Sequence, residues 1–146
     1  MGLEYATLNK LEEASRQFEL ALRIDPDYVD SLTNLGIVMQ RQGNFGQAAG
    51  IYRRALALQP DSYDLNFNLG TLSLTQDNAQ QAAHYLKESL RIRPNSHQAH
   101  HNLGQLYESQ GDFERALRHF ETAYELADSQ VTRESIERVR GKLERD

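Results

Sequence analysis

The sequence predicts an all-α solenoid built from stacked helix-turn-helix repeats. Three observations carry that expectation. Pro26, Pro60 and Pro94 recur at a fixed interval of 34 residues. In the same phase stand Asn34-Leu35-Gly36, Asn68-Leu69-Gly70 and Asn102-Leu103-Gly104. Between these marks apolar residues recur at spacings of three and four, the period of a helix with one buried face. A fixed period of this size marks an array in which each unit buries its apolar face against the next.

Units begin three residues after each proline, giving 29–62, 63–96 and 97–130. The first helix of each unit carries Leu32, Leu35, Val38 and Met39, then Leu65, Leu69 and Leu72, then Leu103, Leu106 and Tyr107. A turn follows, Gln42-Gly43-Asn44 in the first unit and Gln110-Gly111-Asp112 in the third. Glycine closes a helix there because it accepts positive φ without steric cost. The second unit has Gln76-Asp77-Asn78, residues that also make turns. Second helices show Phe45, Ala48, Tyr52, Ala55 and Leu56, matched by Phe113, Ala116, Phe120, Ala123 and Tyr124. The alanines, with Gly36, Gly70 and Gly104, allow close helix packing. Each second helix stops before its proline. Asp27, Asp61 and Asn95 follow, with Ser62 and Ser96 next, all able to cap the coming helix.

Residues 1–28 read as a partial unit. Tyr5, Leu11, Ala14, Phe18 and Ala21 match Met39, Phe45, Ala48, Tyr52 and Ala55 after a shift of 34. The chain is thus expected to start inside a first helix, as a piece of a longer array, and to expose an apolar edge. A natural start with a short lid helix is the alternative. At the other end residues 131–146 predict a capping helix, with Val131, Ile136, Val139 and Leu143 on a narrow apolar stripe and charge elsewhere.

Composition narrows the function. The chain has 146 residues, enough for one domain, with a formal net charge of -5. That balance disfavours nucleic acid and anionic membrane surfaces. Cysteine is absent, so there is neither a disulfide framework nor a thiolate metal site. No apolar run approaches the roughly 18 residues of a membrane span, and no signal segment opens the chain. The expected compartment is cytoplasmic. No nucleophile elbow, phosphate loop or zinc-protease motif occurs, so no enzyme activity, cofactor or metal is expected of these residues. His97 and His101 share a helical face, but no fixed acidic ligand accompanies them, and a groove-lining role is the simpler reading.

These features resemble the tetratricopeptide repeat family. The third unit carries its pattern most fully, with Leu103-Gly104, Tyr107, Gly111, Ala116, Phe120 and Ala123. The first follows with Leu35-Gly36, Gly43, Ala48, Tyr52, Ala55 and Pro60. The second departs, with Ser73 for tyrosine, Asp77 for glycine and Ser89 for alanine, and is expected to be the loosest. Tyr63, Phe67 and Tyr85 are candidates to restore its bulk. The resemblance implies a right-handed superhelix whose first helices line a concave face. It places Asp30, Thr33, Asn34, Ile37 and Arg41 there, then Asp64, Phe67, Asn68, Thr71 and Thr75, then Gln98, His101, Asn102 and Gln105.

Asn34, Asn68 and Asn102 repeat without exception, although asparagine is a middling helix former. An amide offers donor and acceptor together, so each can pair with one peptide unit of a bound extended chain. First helices lie about 10 Å apart, and an extended chain advances about 3.1–3.4 Å per residue. Every third residue would then meet an amide. This is similar to the asparagine ladders of the O-linked N-acetylglucosamine transferase repeats and of the importin family. The alternative is structural, with each amide bonding across to a neighbouring helix. The carboxylate clamp of chaperone adaptors is excluded: its places hold Thr33, Ile37, Asn68, Gln98 and Asn102, and no cation offsets a buried carboxylate. The expected activity is therefore a protein-interaction module that binds an extended peptide of a partner protein. The expected groove residues are Asn34, Asn68, Asn102, Ile37, Arg41, Phe67, Thr71, His101 and Gln105. Two other readings stay open. One is the substrate-recruiting arm of a larger enzyme such as a glycosyltransferase. The other is a scaffold that self-assembles as a homo-oligomer through the N-terminal edge.

Overall fold

The computed structural model describes the backbone of residues 2–145 and the side chains of residues 9–145. Among the described residues there are eight helices and no strand. They are α1 (Gly2–Ile24), α2 (Val29–Arg41), α3 (Phe45–Leu58), α4 (Tyr63–Thr75), α5 (Ala79–Ile92), α6 (His97–Ser109), α7 (Phe113–Leu126) and α8 (Gln130–Leu143). The chain is a solenoid: α2 pairs with α3, α4 with α5 and α6 with α7 as hairpins, and each hairpin packs on the next in sequence.

The three phased glycines explain how tightly the hairpins close. A Cβ on Gly104 would stand 2.6 Å from the Phe120 ring, and one on Gly70 would stand 2.7 Å from Leu86 Cγ. Gly36 meets Tyr52 in the same way. Tyr52, Leu86 and Phe120 are fully buried as a result. The turns hold the expected left-handed backbone, with φ of 80° at Gly43, 75° at Gly111 and 55° at Asp77. Ser62 and Ser96 cap α4 and α6, accepting from Leu65 N and Ala99 N. Asp27 and Asp61 are occupied otherwise, pairing with Arg54 and Arg91.

The second unit is not loose. Leu86 takes the aromatic's place over Gly70, and Leu65, Leu69 and Leu72 are fully buried beside it. The hydroxyl groups of Ser73 and Ser89 donate to the carbonyls of Leu69 and Leu86, each at 2.7 Å. Each buried polar group is therefore satisfied within its own helix. Tyr63 adds a buried bond of 2.6 Å to the Ser96 hydroxyl and stacks on Phe67.

The two ends depart from the sequence expectation. Residues 1–28 hold one continuous 23-residue helix, α1, where the end of a first helix and then a second helix were expected. Asn9-Lys10 stand where Gly43-Asn44 would fall, and the helix runs through them without the left-handed turn that Gly43, Asp77 and Gly111 make. The Tyr5 match lies outside the described side chains. Leu20 and Ile24 are exposed along α1.

At the other end α8 takes a register of 33 residues, not 34: Ser129 matches Ser96, Ile136 matches Leu103 and Val139 matches Leu106. Its buried face is Thr132, Ser135, Ile136 and Val139, while Val131, expected on the stripe, is 62% exposed. In this register Glu137 stands at the glycine position. A second helix cannot seat there as Phe120 does on α6, so α8 presents a charged outer face.

Candidate functional site

Among the first helices, α4 touches α6 directly and α6 is bonded to α8. Where α4, α6 and α8 meet they enclose a cleft of about 330 Å³. Phe67, Thr71, His97, Gln98, His101, Asn102, Ser129, Val131 and Thr132 line it. Four expected groove residues, Phe67, Thr71, His101 and Asn102, are thus brought together. Asn34, Ile37 and Arg41 lie on α2, one unit before α4, and none of them lines the cleft; Gln105 is exposed and does not line it either.

The three asparagines have different fates. Asn102 Nδ2 donates to Thr71 Oγ1 at 3.1 Å, tying α6 to α4. Thr71 Oγ1 in turn donates to the Phe67 carbonyl at 2.9 Å. One unit earlier the position of Thr71 is Ile37, which offers no acceptor. Asn68 is half-buried and Asn34 exposed, and neither amide bonds to another described residue. Among the described residues, Asn34 and Asn68 have no side-chain bond and Asn102 is tied across helices.

The α6–α8 end of the groove is fastened. Glu108 receives a two-pronged bond from Arg138, Nε to Oε1 and Nη2 to Oε2, each at 2.8 Å. Lys142 Nζ adds a third at 2.9 Å. Those donors hold the Glu108 carboxyl down at about 2 against the burial that opposes them. His101 Nδ1 lies 3.1 Å from Thr132 Oγ1, and its ring packs 5.2 Å from that of Phe120. Burial lowers its pKa, with the Arg138 charge adding to the effect. Behind it His100 Nδ1 meets His119 Nδ1 at 3.0 Å, and His100 Nε2 lies 3.1 Å from the Pro94 carbonyl. With Nε2–H donating to that carbonyl, His100 Nδ1 accepts from His119. Burial, then the His100 charge, pushes His119 down to about 4. These histidines are structural links, and among the described residues no group of three metal-ligating side chains occurs.

Ser129, Val131 and Thr132 are the lining residues that the 34-residue phase missed. The N-cap at Ser129 was the available signal, since it sets the register of α8 one residue earlier.

Tetratricopeptide repeat models match residues 65–129 and 29–62, and a TPR repeat model matches residues 2–43. The chain belongs to the tetratricopeptide repeat family. Tetratricopeptide repeat protein 8 of Caenorhabditis elegans is 38% identical over 52 residues, which is 36% of this chain and 10% of that protein. A solved structure of MamA superposes with a TM-score of 0.85 at 23% identity, covering 97% of this chain and 84% of the other. The pilF structure from Pseudomonas aeruginosa gives 0.86 at 24%, covering 99% and 66%. YrrB, described as a TPR protein with an unusual peptide-binding site, gives 0.79 at 21%, covering 95% and 72%. This repeat family supplies protein-interaction surfaces, and among the described residues no helix is long and apolar enough to cross a membrane.

Proposed function

We propose that the concave groove binds an extended peptide segment of a partner protein, with Asn34 and Asn68 reading its backbone and the Phe67–His101 cleft receiving a side chain. The observation that carries this reading is the pair of unoccupied amides. Both repeat in phase, neither bonds to another described residue, and an amide offers donor and acceptor together. Rungs about 10 Å apart suit every third residue of a chain rising about 3.1–3.4 Å per residue. YrrB, described as having an unusual peptide-binding site, supplies a precedent for peptide binding on the same architecture.

The test is Asn34→Ala with Asn68→Ala. Peptide affinity measured by anisotropy should fall about 30-fold, roughly 1 kcal/mol for each of the two lost bonds beyond solvent exchange. The thermal midpoint should hold, because neither amide has a bond to another described residue to lose. A collapse of stability with unchanged affinity would make the amides structural.

A further inference from the structure

The groove carries a charge pattern that its amides do not use. Asp30 and Asp64 lie four residues before Asn34 and Asn68 on the same helices. Residues four apart are neighbours on one helical face, so each open amide has a carboxylate one turn along. Both carboxylates are exposed, and neither forms an ion pair with another described residue. The contrast is with Asp27 and Asp61, also 34 apart, which are taken up by Arg54 and Arg91 on α3 and α5. The third rung breaks the pattern twice. Gln98 replaces the carboxylate, and Asn102 is already tied to Thr71. What stands there instead is the cleft, walled by the Phe67 ring and by Val131, which is 62% exposed at its rim.

We infer that the groove selects an extended segment with cationic side chains at two positions three residues apart and an apolar side chain three residues further on. This rests on the peptide-groove reading above. A backbone aligned on Asn34 and Asn68 places the side chains of those residues within reach of Asp30 and Asp64. The next residue in phase meets no free amide and no carboxylate, and the cleft of about 330 Å³ has room for its side chain. Acidic residues in a first turn also favour their own helix, so affinity and stability must be read separately.

The probes are fluorescein-labelled peptides of the pattern Lys-Ser-Pro-Lys-Ser-Pro-Leu, made also in reversed order because the groove polarity is open. Companion peptides carry Gln or Glu for both Lys, or Ser for Leu. The Lys peptide should bind about three- to tenfold tighter than the Gln peptide, the range of two exposed ion pairs, with the Glu peptide weaker still. Asp30→Lys with Asp64→Lys should invert the Lys and Glu order. Asp27→Lys with Asp61→Lys makes the same net-charge change away from the groove and should not invert it. Val131→Ser and the Leu-to-Ser peptide should each weaken binding several-fold. Equal affinity for the Lys, Gln and Glu peptides, or inversion by the Asp27 and Asp61 variant, overturns the charge pattern. If Asn34→Ala and Asn68→Ala still weaken all the peptides equally, the groove reading stands without it. Absence of binding by every peptide overturns both.

Discussion

The two halves of the groove are built from the same repeat phrase and behave differently. On α2 and α4 the amides of Asn34 and Asn68 bond to no other described residue. On α6 the amide of Asn102 is bonded to α4, and α6 is fastened to α8 through Glu108, Arg138, Lys142, His101 and Thr132. A conserved-looking phase in one sequence therefore fixes where a side chain points. It does not fix what that side chain does, which depends on the residue presented by the adjacent unit. Thr71 closes a bond that Ile37 cannot.

The largest test of this contrast is Phe120→Ala. Phe120 is fully buried, fills the space above Gly104 and supports the His101 ring. Emptying it should cost about 3–5 kcal/mol. Repeat arrays distribute stability by nearest neighbours. Hydrogen exchange should therefore show α6–α8 losing protection while α2–α5 retain theirs. Uniform loss along the chain would mean that the halves are one cooperative unit and that the contrast is only local.

Acid separates the halves more gently. An unfolded His119 takes its proton near 6.5, whereas the folded ring resists until about 4. The unfolded chain then binds more protons across that window, so stability is full above 6.5 and is lost as pH falls through it. Glu108 acts next: its carboxylate form is favoured in the folded state, so its contribution is present above 4.5 and is lost as pH falls towards 2. Each step should amount to about 2 kcal/mol once the solvent-screened partners are discounted. Thermal melts against pH should show both steps, and His119→Gln should flatten the first. A first step that survives this change would place its origin elsewhere.

Much of this was legible in the sequence because repeat phase is a strong signal. The helices, the glycine seats and the left-handed turn at Asp77 follow from residues that have few other uses. That Phe67, Thr71, His101 and Asn102 lie together in one cleft agrees with the side of the first helices to which the family resemblance assigns them. Three things were not legible. The 33-residue step into α8 hides in a segment without proline, so Val131 was assigned to the core when it lies on the cleft rim. Leu86 serves as an aromatic's equivalent, because filling the space over Gly70 matters more than ring chemistry. The Asn102–Thr71 bond depends on the distance between two side chains 31 residues apart, and no pattern within one unit reports it.

The finest test exchanges the two halves' chemistry. Thr71→Val removes the acceptor of Asn102 and should cost about 1 kcal/mol, while freeing a third amide for a bound peptide. Ile37→Thr does the reverse. It supplies Asn68 with the acceptor that Thr71 supplies to Asn102, at the expense of some apolar packing, since Ile37 is half-buried against the core that holds Leu32, Tyr52, Leu65 and Leu69. Net stability should barely move, but peptide affinity should fall several-fold as the second rung is tied. A double-mutant cycle of Ile37→Thr with Asn68→Ala isolates the new bond, and the expected coupling is about 0.5–1 kcal/mol. Coupling near zero would show that helix spacing, and not the missing hydroxyl, keeps Asn68 open. The open half would then owe its character to how α2 and α4 are held apart, and the single residue at position 37 would lose its explanatory role.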